Sequence, residues 1–268
     1  MPTCQEMEAI EMEAWQNMFD IAPATFRKEM NLYYEKTGGG ICFVFPKYPV
    51  VHFNMAMSFG YAEPISEKLL KQVEAIYKKE NQPVYLIQHC EHQQPANARE
   101  IFNSRGFREA GGWERISWAP QQVAAISSER KITVEKVTKE TVALWEQFIL
   151  DLYQYPAKDW LQAFISKSWH NFIALEQGKI VACRSVYTGK NDFAWSGVEA
   201  PVPILMTNDL EPDRFLWKHI QQFCFDIDIQ LLVADIEKPS PERNTPIYRF
   251  YADLGFQVEY LRSLYRKE

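Results

Sequence analysis

The stretch from Asn244 to Phe256 has the sequence Asn-Thr-Pro-Ile-Tyr-Arg-Phe-Tyr-Ala-Asp-Leu-Gly-Phe. Asn244 can cap a helix, and Pro246 lies where a missing amide hydrogen costs little. Gly255 can adopt the left-handed conformation that ends a helix. The stretch therefore predicts one short helix, and the alternating apolar residues after Phe256 predict a strand.

The same pattern occurs upstream, over residues 93–107, as Gln-Gln-Pro-Ala-Asn-Ala-Arg-Glu-Ile-Phe-Asn-Ser-Arg-Gly-Phe. When the two Gly-Phe pairs are aligned, Pro95 takes the place of Asn244 and Phe102 takes the place of Tyr251. Each copy follows a helical pattern and an apolar strand pattern, at 65–80 and 83–89 for the upstream copy and at 213–226 and 229–236 for the downstream copy. An internal repeat on this scale predicts two copies of one fold.

The downstream copy resembles the last helix of the GNAT-superfamily N-acetyltransferases, in which an Asn is followed by a Tyr seven positions later and then by Gly-Phe. The resemblance implies that Asn244 and its neighbouring backbone contact coenzyme A, and that Tyr251 protonates the departing thiolate. The alternative is that Tyr251 is a core tyrosine whose hydroxyl is satisfied nearby. The upstream copy lacks this tyrosine, so the chain looks like a tandem GNAT protein with a degenerate first copy.

The order of predicted elements extends this resemblance over most of the chain. It implies an α/β (α+β) protein with two GNAT-like domains, each a mixed, mostly antiparallel sheet flanked by helices. The predicted boundaries are 1–120 for the degenerate domain, 121–130 for a polar linker and 131–268 for the domain with the better-preserved site.

Several elements are predicted from periodicity and turn residues. Residues 5–20 and 24–36 are expected to be helices, the first with its glutamates on the solvated side. Three glycines at 38–40 are interpreted as a turn into a strand at 41–45, because no helix or lysine follows them to hold a phosphate. Strands are expected at 50–61 and 192–200, and a hairpin turn is expected at Gln177-Gly178.

Composition excludes several classes of function. The chain has 268 residues, 47% hydrophobic residues and a net charge of −6, without a basic cluster, so no nucleic-acid partner is expected. The start of the sequence is acidic, and no segment approaches the ~20 apolar residues of a membrane span, so neither a signal peptide nor a membrane partner is expected. Five scattered cysteines are interpreted as buried free thiols in the cytoplasm.

Residues 201–214 lie where GNAT proteins carry a glycine-rich loop that binds the diphosphate of coenzyme A. Here the loop contains no glycine, and its three prolines cannot donate amide hydrogens. Asp209, Glu211 and Asp213 would face the diphosphate, and Arg214 alone would offset them. Asp213 is interpreted as the N-cap of the following helix.

The upstream loop, residues 59–66, has one glycine and no arginine, so neither copy has the usual diphosphate loop. One interpretation is that the fold persists while the cofactor loop has been lost. The other is that acetyl-CoA still binds and is held by strand backbone at Val198 and by the side chains of Asn244, Tyr248 and Arg249.

Further candidates have both a functional and a structural interpretation. Glu199 lies at the end of a strand where the family often carries a general base, but it can equally be a glutamate that reaches solvent. Four residues lie in the segment that covers the acceptor cleft in such folds, where packing is the alternative: Tyr153, Tyr155, Asp159 and Trp160. His170 and His219 are isolated and are interpreted as structural.

No metal site is expected. His89 and Glu91 would point to one side of a strand, and Cys90 and His92 to the other, so no face collects three ligands.

These observations support two main hypotheses. The first is an acyl-CoA-dependent N-acetyltransferase whose C-terminal domain acts on an amine, with Tyr251 as acid and Glu199 as base. The second is a catalytically silent GNAT-like protein that serves as a binding or interaction module. A third is that the acidic loop selects an uncharged or cationic ligand. The identity of the amine and the oligomeric state stay open.

Overall fold

The computed structural model describes residues 2–47, 50–123, 128–153, 158–197, 199–200, 209–237 and 239–267. The chain forms two compact units, and neither is one continuous segment. The first unit comprises Met1–Arg115, Ile236–Pro241 and Glu259–Glu268, and the second comprises Ile116–Asp235 and Glu242–Val258. The end of the chain therefore belongs to the first unit, whereas the role of residues 121–130 as a linker stays a prediction.

The first unit begins with helices and includes a strand from the end of the chain. Its helices are Cys4–Asp20 (α1), Ala24–Met30 (α2), Glu67–Lys79 (α3) and Ala98–Ser104 (α4). Its strands are Tyr33–Thr37 (β1), Gly40–Val44 (β2), Met55–Met57 (β3), Leu86–Cys90 (β4), most of Phe107–Trp118 (β5) and most of Gln257–Lys267 (β12).

The sheet of the first unit has the strand order β1-β2-β3-β4-β12-β5. Strand β3 runs parallel to β4, whereas the pairs β1–β2, β2–β3 and β4–β12 are antiparallel, which confirms the predicted mixed, mostly antiparallel sheet. Strand β12 pairs with β4 from Arg262 opposite Cys90 to Arg266 opposite Leu86. The last strand of the chain is therefore an internal strand of this sheet.

The predicted helix over 24–36 is too long. Helix α2 ends at Met30, because Asn31 adopts a left-handed φ of 53° and ends the helix. The residues that follow form β1, which is antiparallel to β2 with Tyr33 opposite Val44. The predicted glycine turn is confirmed, since Gly38 and its neighbour both have positive φ between the two strands.

The predicted strand over 50–61 is also too long. Only the three residues of β3 pair in the sheet, and a 3₁₀ turn, Val51–Phe53, precedes them. The Asn54 side chain accepts a hydrogen bond from the Phe45 amide at 2.8 Å and donates one to its carbonyl at 3.1 Å. A side chain thus satisfies backbone groups of residue 45 just beyond the end of β2.

The glutamates of α1 were expected to be solvated, and for two of them this is wrong. Glu8 and Glu11 are almost completely buried. Arg115 of β5 lies 3.1 Å from Glu8 and also binds Glu11, and Arg262 of β12 binds Glu11 as well. Tyr260 donates its hydroxyl to Glu8 at 2.8 Å. The two buried carboxylates face two guanidinium groups. The opposite charges and the hydrogen bonds offset the cost of removing these charged side chains from water.

The electrostatics of this cluster keep Glu11 ionised. Burial disfavours the charged carboxylate, but Arg262 and Arg115 outweigh burial and hold the pKa of Glu11 below its ordinary value. The Arg262 guanidinium also lies 5.5 Å from the Trp113 ring centroid. Helix α1 is thus joined to β5 and β12 by a buried ion network.

His89 of β4 lies between the rings of Phe102 and Tyr265, with centroids 5.5 and 6.3 Å away. Its Nε2 atom is buried and makes no hydrogen bond within the described part of the chain. Burial lowers the pKa of His89 to about 4 from an ordinary 6.5. The neutral ring is therefore the form that the folded first unit accommodates.

We expect this histidine to make the first unit sensitive to mild acid. Because the folded pKa is depressed, its stabilising contribution is complete above pH ~6.5 and is lost as the pH falls towards ~4. Between pH ~7 and pH ~5 the free energy of unfolding should fall by about 1–2 kcal/mol more in the unaltered chain than in His89→Phe, which keeps an apolar ring. Urea unfolding at the two pH values measures this difference, and equal losses in both proteins would contradict it.

The second unit contains the downstream copy of the repeat. Its helices are Val142–Tyr153 (α5), Lys158–Ala163 (α6), Glu211–Asp226 (α7) and Pro246–Asp253 (α8). Its strands are Ile132–Lys136 (β6), Trp169–Glu176 (β7), Lys179–Thr188 (β8), Phe193–Trp195 (β9), Glu199–Ala200 (β10) and most of Leu231–Glu237 (β11).

The sheet of the second unit has the order β11-β9-β8-β7-β6, with β10 paired to β8. Among the ladders that the structure describes within this unit, β9–β11 is parallel and the others are antiparallel, so this sheet is also mixed and mostly antiparallel. The predicted hairpin turn is confirmed, since Gln177 and Gly178 have φ values of 50° and 76° between β7 and β8.

Candidate functional site

Helix α8 carries Tyr251 into the core of the second unit. The Tyr251 side chain is 5% exposed, and the rings of Trp217 and Phe256 lie 5.8 and 5.5 Å from it. The helix ends as predicted, because Gly255 has a φ of 81° and the Phe256 amide donates to the Tyr251 carbonyl at 3.0 Å. Gln221 of α7 donates to the Leu254 carbonyl at 2.7 Å, which ties the end of α8 to its neighbour.

The other predicted residues on this segment separate into a buried and an exposed group. Tyr248 is buried one helical turn from Tyr251, whereas Asn244 and Arg249 are exposed. The predicted helix cap is wrong by one position, since Thr245 is the N-cap and its side chain makes no capping hydrogen bond. The structure thus brings the two tyrosines to one face and leaves the two predicted polar contacts at the surface.

Strands β9 and β11 run parallel, and their ladder is short. Strand β9 pairs with β11 from Phe193 opposite Leu231 to Trp195 opposite Val233, and the Ser196 amide still donates to the Val233 carbonyl at 2.9 Å. After Ser196, β10 pairs with β8, and no ladder joins β10 to β11 in the part of the chain that the structure describes. The predicted strand over 192–200 is therefore two short strands with an interruption between them.

Two predicted site residues lie at or next to this interruption. Val198 lies outside the described residues. Glu199 is described through its backbone, which lies opposite Arg184 in the β10–β8 ladder. Of the segment predicted to cover an acceptor cleft, Tyr155 lies outside the described residues and Trp160 of α6 is buried. Trp160 packs 6.1 Å from Phe164, as the packing interpretation expects.

Asp213 is not a helix cap. Helix α7 begins after Leu210, and Asp213 lies inside its first turn, where it is buried. Arg184 of β8 donates to both carboxylate oxygens, with distances of 2.9 and 3.0 Å from one guanidinium nitrogen. The same guanidinium lies 4.3 Å from the Trp217 ring centroid. Burial raises the pKa of Asp213, and Arg184 opposes that rise. This buried pair fixes the first turn of α7 to the sheet.

The other acidic residues before α7 are also paired with an arginine. Arg130 lies 2.7 Å from Asp209 and 3.3 Å from Glu211, and it holds Glu176 at 2.7 Å. These hydrogen bonds raise the pKa of Arg130, and the bond to Arg130 lowers the pKa of Glu176. The carboxylates that were expected to repel a diphosphate are thus compensated by residues of the same unit.

The first turn of α7 does not fit the diphosphate of coenzyme A. The Glu211 amide is taken by the Asp209 carboxylate at 3.2 Å, and Pro212 has no amide hydrogen. Arg214, the one predicted cation, lies 3.6 Å from Asp253. Residues 201–208 of the loop lie outside the described residues. A diphosphate held near this helix would need groups other than these.

The sequence did not reveal which charged residues pair with each other. The missed ion pairs are those of Arg184, of Arg130 and of the buried Glu8 network. One signal was present for Arg184, since it interrupts the apolar run Ile-Val-Ala-Cys-Arg-Ser-Val-Tyr of β8. A charged side chain in a buried strand needs a buried partner of opposite charge. The sequence therefore indicates that an acidic residue contacts Arg184 in the fold, but it does not identify which one.

The described residues contain no group of three His, Cys, Asp or Glu side chains that could hold a metal ion. None of the helices in the described ranges is long and apolar enough to cross a bilayer. The cysteines are free thiols, and all except Cys4 are buried.

The solved structures to which this chain is similar include GCN5-related N-acetyltransferases. A GCN5-related N-acetyltransferase from Kribbella flavida is 12% identical with a TM-score of 0.68, and the match covers 100% of this chain and 96% of that chain. One from Sphaerobacter thermophilus is 14% identical with a TM-score of 0.62, covering 100% and 94%. A tandem GNAT protein from the clavulanic acid biosynthesis pathway is 11% identical with a TM-score of 0.61, covering 98% and 94%.

These similarities show the fold. The chain has the tandem GNAT-type fold that the repeat predicted. No protein-family model matches the sequence, and no curated protein matches it.

Proposed function

We propose that this protein is an acyl-CoA-dependent N-acyltransferase that acetylates an amine at the second unit. The observation that carries the proposal is the end of the β9–β11 ladder at Trp195 and Val233, after which β10 pairs with β8. An extended ligand that carries amides would pair with strand backbone beyond this point. The pantetheine arm of acyl-CoA is such a ligand, and the GNAT-type fold supports this assignment.

The proposed roles of the chain's own residues are those that the resemblance to the GNAT family implies. When bound, acyl-CoA would supply the acyl group and a thiol leaving group. Tyr251 would donate its phenolic proton to the departing sulfur, and Glu199 would take a proton from the amine. Asn244, Tyr248, Arg249 and the backbone at Val198 would contact the coenzyme. The Tyr251 ring packs against Phe256 at the end of α8, and this contact holds the phenol in place. Asn244 and Arg249 are exposed, so a ligand can reach them.

Replacing the phenol tests the role of Tyr251. Calorimetric titration with acetyl-CoA should show saturable binding, and Tyr251→Phe should bind with nearly the same Kd. With a panel of amines and a thiol-release assay, kcat should fall by roughly 10²-fold in Tyr251→Phe, because the variant loses only the proton donor.

Tyr187→Phe is the matched control, since it removes a hydroxyl from a buried tyrosine of the second unit to which no role is assigned, and it should retain kcat. No detectable binding at millimolar acetyl-CoA would overturn the proposal. Equal turnover in the two variants would remove Tyr251 from the mechanism.

A catalytically silent binding module is the second candidate, and the charge pairs before α7 favour it. Arg130 forms ion pairs with Asp209 and Glu211, and Arg184 forms one with Asp213. Both arginines therefore already have anionic partners. Under this alternative the unaltered chain shows no thermal shift with acetyl-CoA. The triple variant Glu176→Gln, Asp209→Asn, Glu211→Gln would then release Arg130 and produce a shift. That the acceptor is an amine stays a prediction. The expected absence of nucleic-acid and membrane partners and the expected cytoplasmic location also stay predictions.

A further inference from the structure

Lys136, the last residue of β6, forms a hydrogen-bonded chain with His170 of β7. The Lys136 Nζ atom lies 2.9 Å from His170 Nδ1, and His170 Nε2 lies 3.1 Å from the Thr188 hydroxyl. Thr188 in turn donates to the Ser168 carbonyl at 3.4 Å. The interpretation of His170 as an isolated structural residue is therefore incomplete, because its ring joins a lysine to a threonine.

The direction of these hydrogen bonds fixes the tautomer of His170. Thr188 uses its single hydroxyl hydrogen toward Ser168, so it accepts from His170 Nε2–H. Nδ1 then carries the lone pair and accepts from the Lys136 amino group. A neutral ring held in this way is a base at the lysine nitrogen, in the arrangement of a nucleophile, a base and a group that orients the base.

The Phe223 ring of α7 lies against both the lysine and the histidine of this chain. The Lys136 nitrogen lies 5.0 Å from the Phe223 ring centroid of α7, and the His170 ring lies 4.6 Å from the same ring. Within the described residues no carboxylate pairs with Lys136. His219, on the same helix as Phe223, packs against Phe172 at 5.3 Å and is the other titratable ring beside β7.

The pKa shifts agree with this geometry. Burial lowers the pKa of Lys136, and burial together with Lys136 lowers the pKa of His170 to about 4. His170 is thus neutral at pH 7, and the amine form of Lys136 is more populated than in an ordinary lysine. Lys136 is also exposed, so that a reagent can reach its nitrogen.

We infer that Lys136 is a nucleophilic lysine that is acylated by small acyl thioesters, with His170 as its general base. Lys136 Nζ attacks the thioester carbonyl, and a C–N bond forms. His170 Nδ1 takes the proton that Nζ loses as the tetrahedral intermediate develops. The C–S bond then breaks, and the thiolate takes the proton from His170, which leaves an amide on Lys136 and a free thiol. This inference does not rest on the proposed acetyltransferase activity, because the acyl donor need not carry a nucleotide.

The test is site-resolved acylation of the full chain by N-acetylcysteamine thioester at pH ~7. Peptide mass spectrometry follows Lys136 and, as an internal control, the exposed Lys131 just before β6. We expect Lys136 to be acetylated at least roughly tenfold faster than Lys131, because a positioned base assists only Lys136. In His170→Phe the rate at Lys136 should fall to that of Lys131, and Thr188→Val should lower it by a smaller factor.

The pH profile separates a base from mere packing. The rate at Lys136 should level off at lower pH than the rate at Lys131 in both the unaltered chain and His170→Phe, because burial lowers the pKa of Lys136 in both. The higher limiting rate at Lys136 should be present only in the unaltered chain, because only that chain has the base. Equal rates at the two lysines of the unaltered chain would overturn the inference without any variant. An unchanged rate at Lys136 in a folded His170→Phe or Thr188→Val would remove His170 from the reaction.

Discussion

A chain that ends at residue 120 should fail to fold its first unit. This fragment contains α1 to α4 and β1 to β5 but lacks β12, which pairs with β4 between Arg262 and Arg266. It also loses a guanidinium at Glu11, and leaving a buried charge without its partner costs about 3–5 kcal/mol. Since whole domains have only about 5–15 kcal/mol of stability, the combined loss should leave the fragment largely unfolded.

Amide dispersion in a ¹H–¹⁵N spectrum and resistance to protease measure this outcome. The matched control is the same fragment extended by a Gly-Ser linker and residues 259–268, which restores the missing strand. We expect the extended fragment to gain dispersed resonances. A compact, protease-resistant 1–120 fragment would contradict the expectation, and it would show that β12 is accessory to the first unit.

The second large effect is expected from Arg262→Ala. Arg262 is completely buried and binds Glu11, so its removal leaves that carboxylate with Arg115 alone. We expect a loss of about 3–5 kcal/mol in the free energy of unfolding of the first unit, measured by urea denaturation. Arg266→Ala, an exposed arginine on the same strand, should lose less than about 0.5 kcal/mol.

A double variant distinguishes a lost charge pair from lost packing. Glu11→Met with Arg262→Met replaces both partners by apolar side chains of similar length, which removes the buried charges together. It should be more stable than Arg262→Ala, and Glu8 should keep its bond to Arg115. If the double variant is at least as unstable as Arg262→Ala, the network contributes through shape and not through charge.

The repeat predicted two copies of one fold, and its resemblance to the last GNAT helix implied which fold, because a helix start and a glycine stop are local signals. Pro246 and Gly255 mark the ends of α8 in the sequence and in the structure. The strand β1 was missed for the opposite reason. Its residues Tyr33-Tyr-Glu-Lys-Thr have no clear period, and their extended form depends on pairing with β2, from Tyr33 opposite Val44 onwards. The conformation of such a segment depends on the strand with which it pairs. A short stretch of sequence does not identify that strand.

The candidate site was harder to predict than the fold. Tyr251 and Tyr248 were identified through the motif, and the structure places both on the buried face of α8. The buried role of Asp213 depends on Arg184, which is 29 residues away in the sequence. Helix-capping preferences concern only the residues at the first turn of a helix. Asp213 lies near the start of α7 and was therefore assigned as its cap.

The position of β12 has a consequence for synthesis of the chain on the ribosome. Arg115 and its partner Glu11 emerge early, but Arg262 follows 147 residues after Arg115 (262 − 115). At typical elongation rates this delay is roughly 7 to 30 s. During that interval the nascent first unit exposes an unpaired β4 edge and an incomplete set of counter-charges, and both make it a substrate for chaperones that bind unfinished sheets.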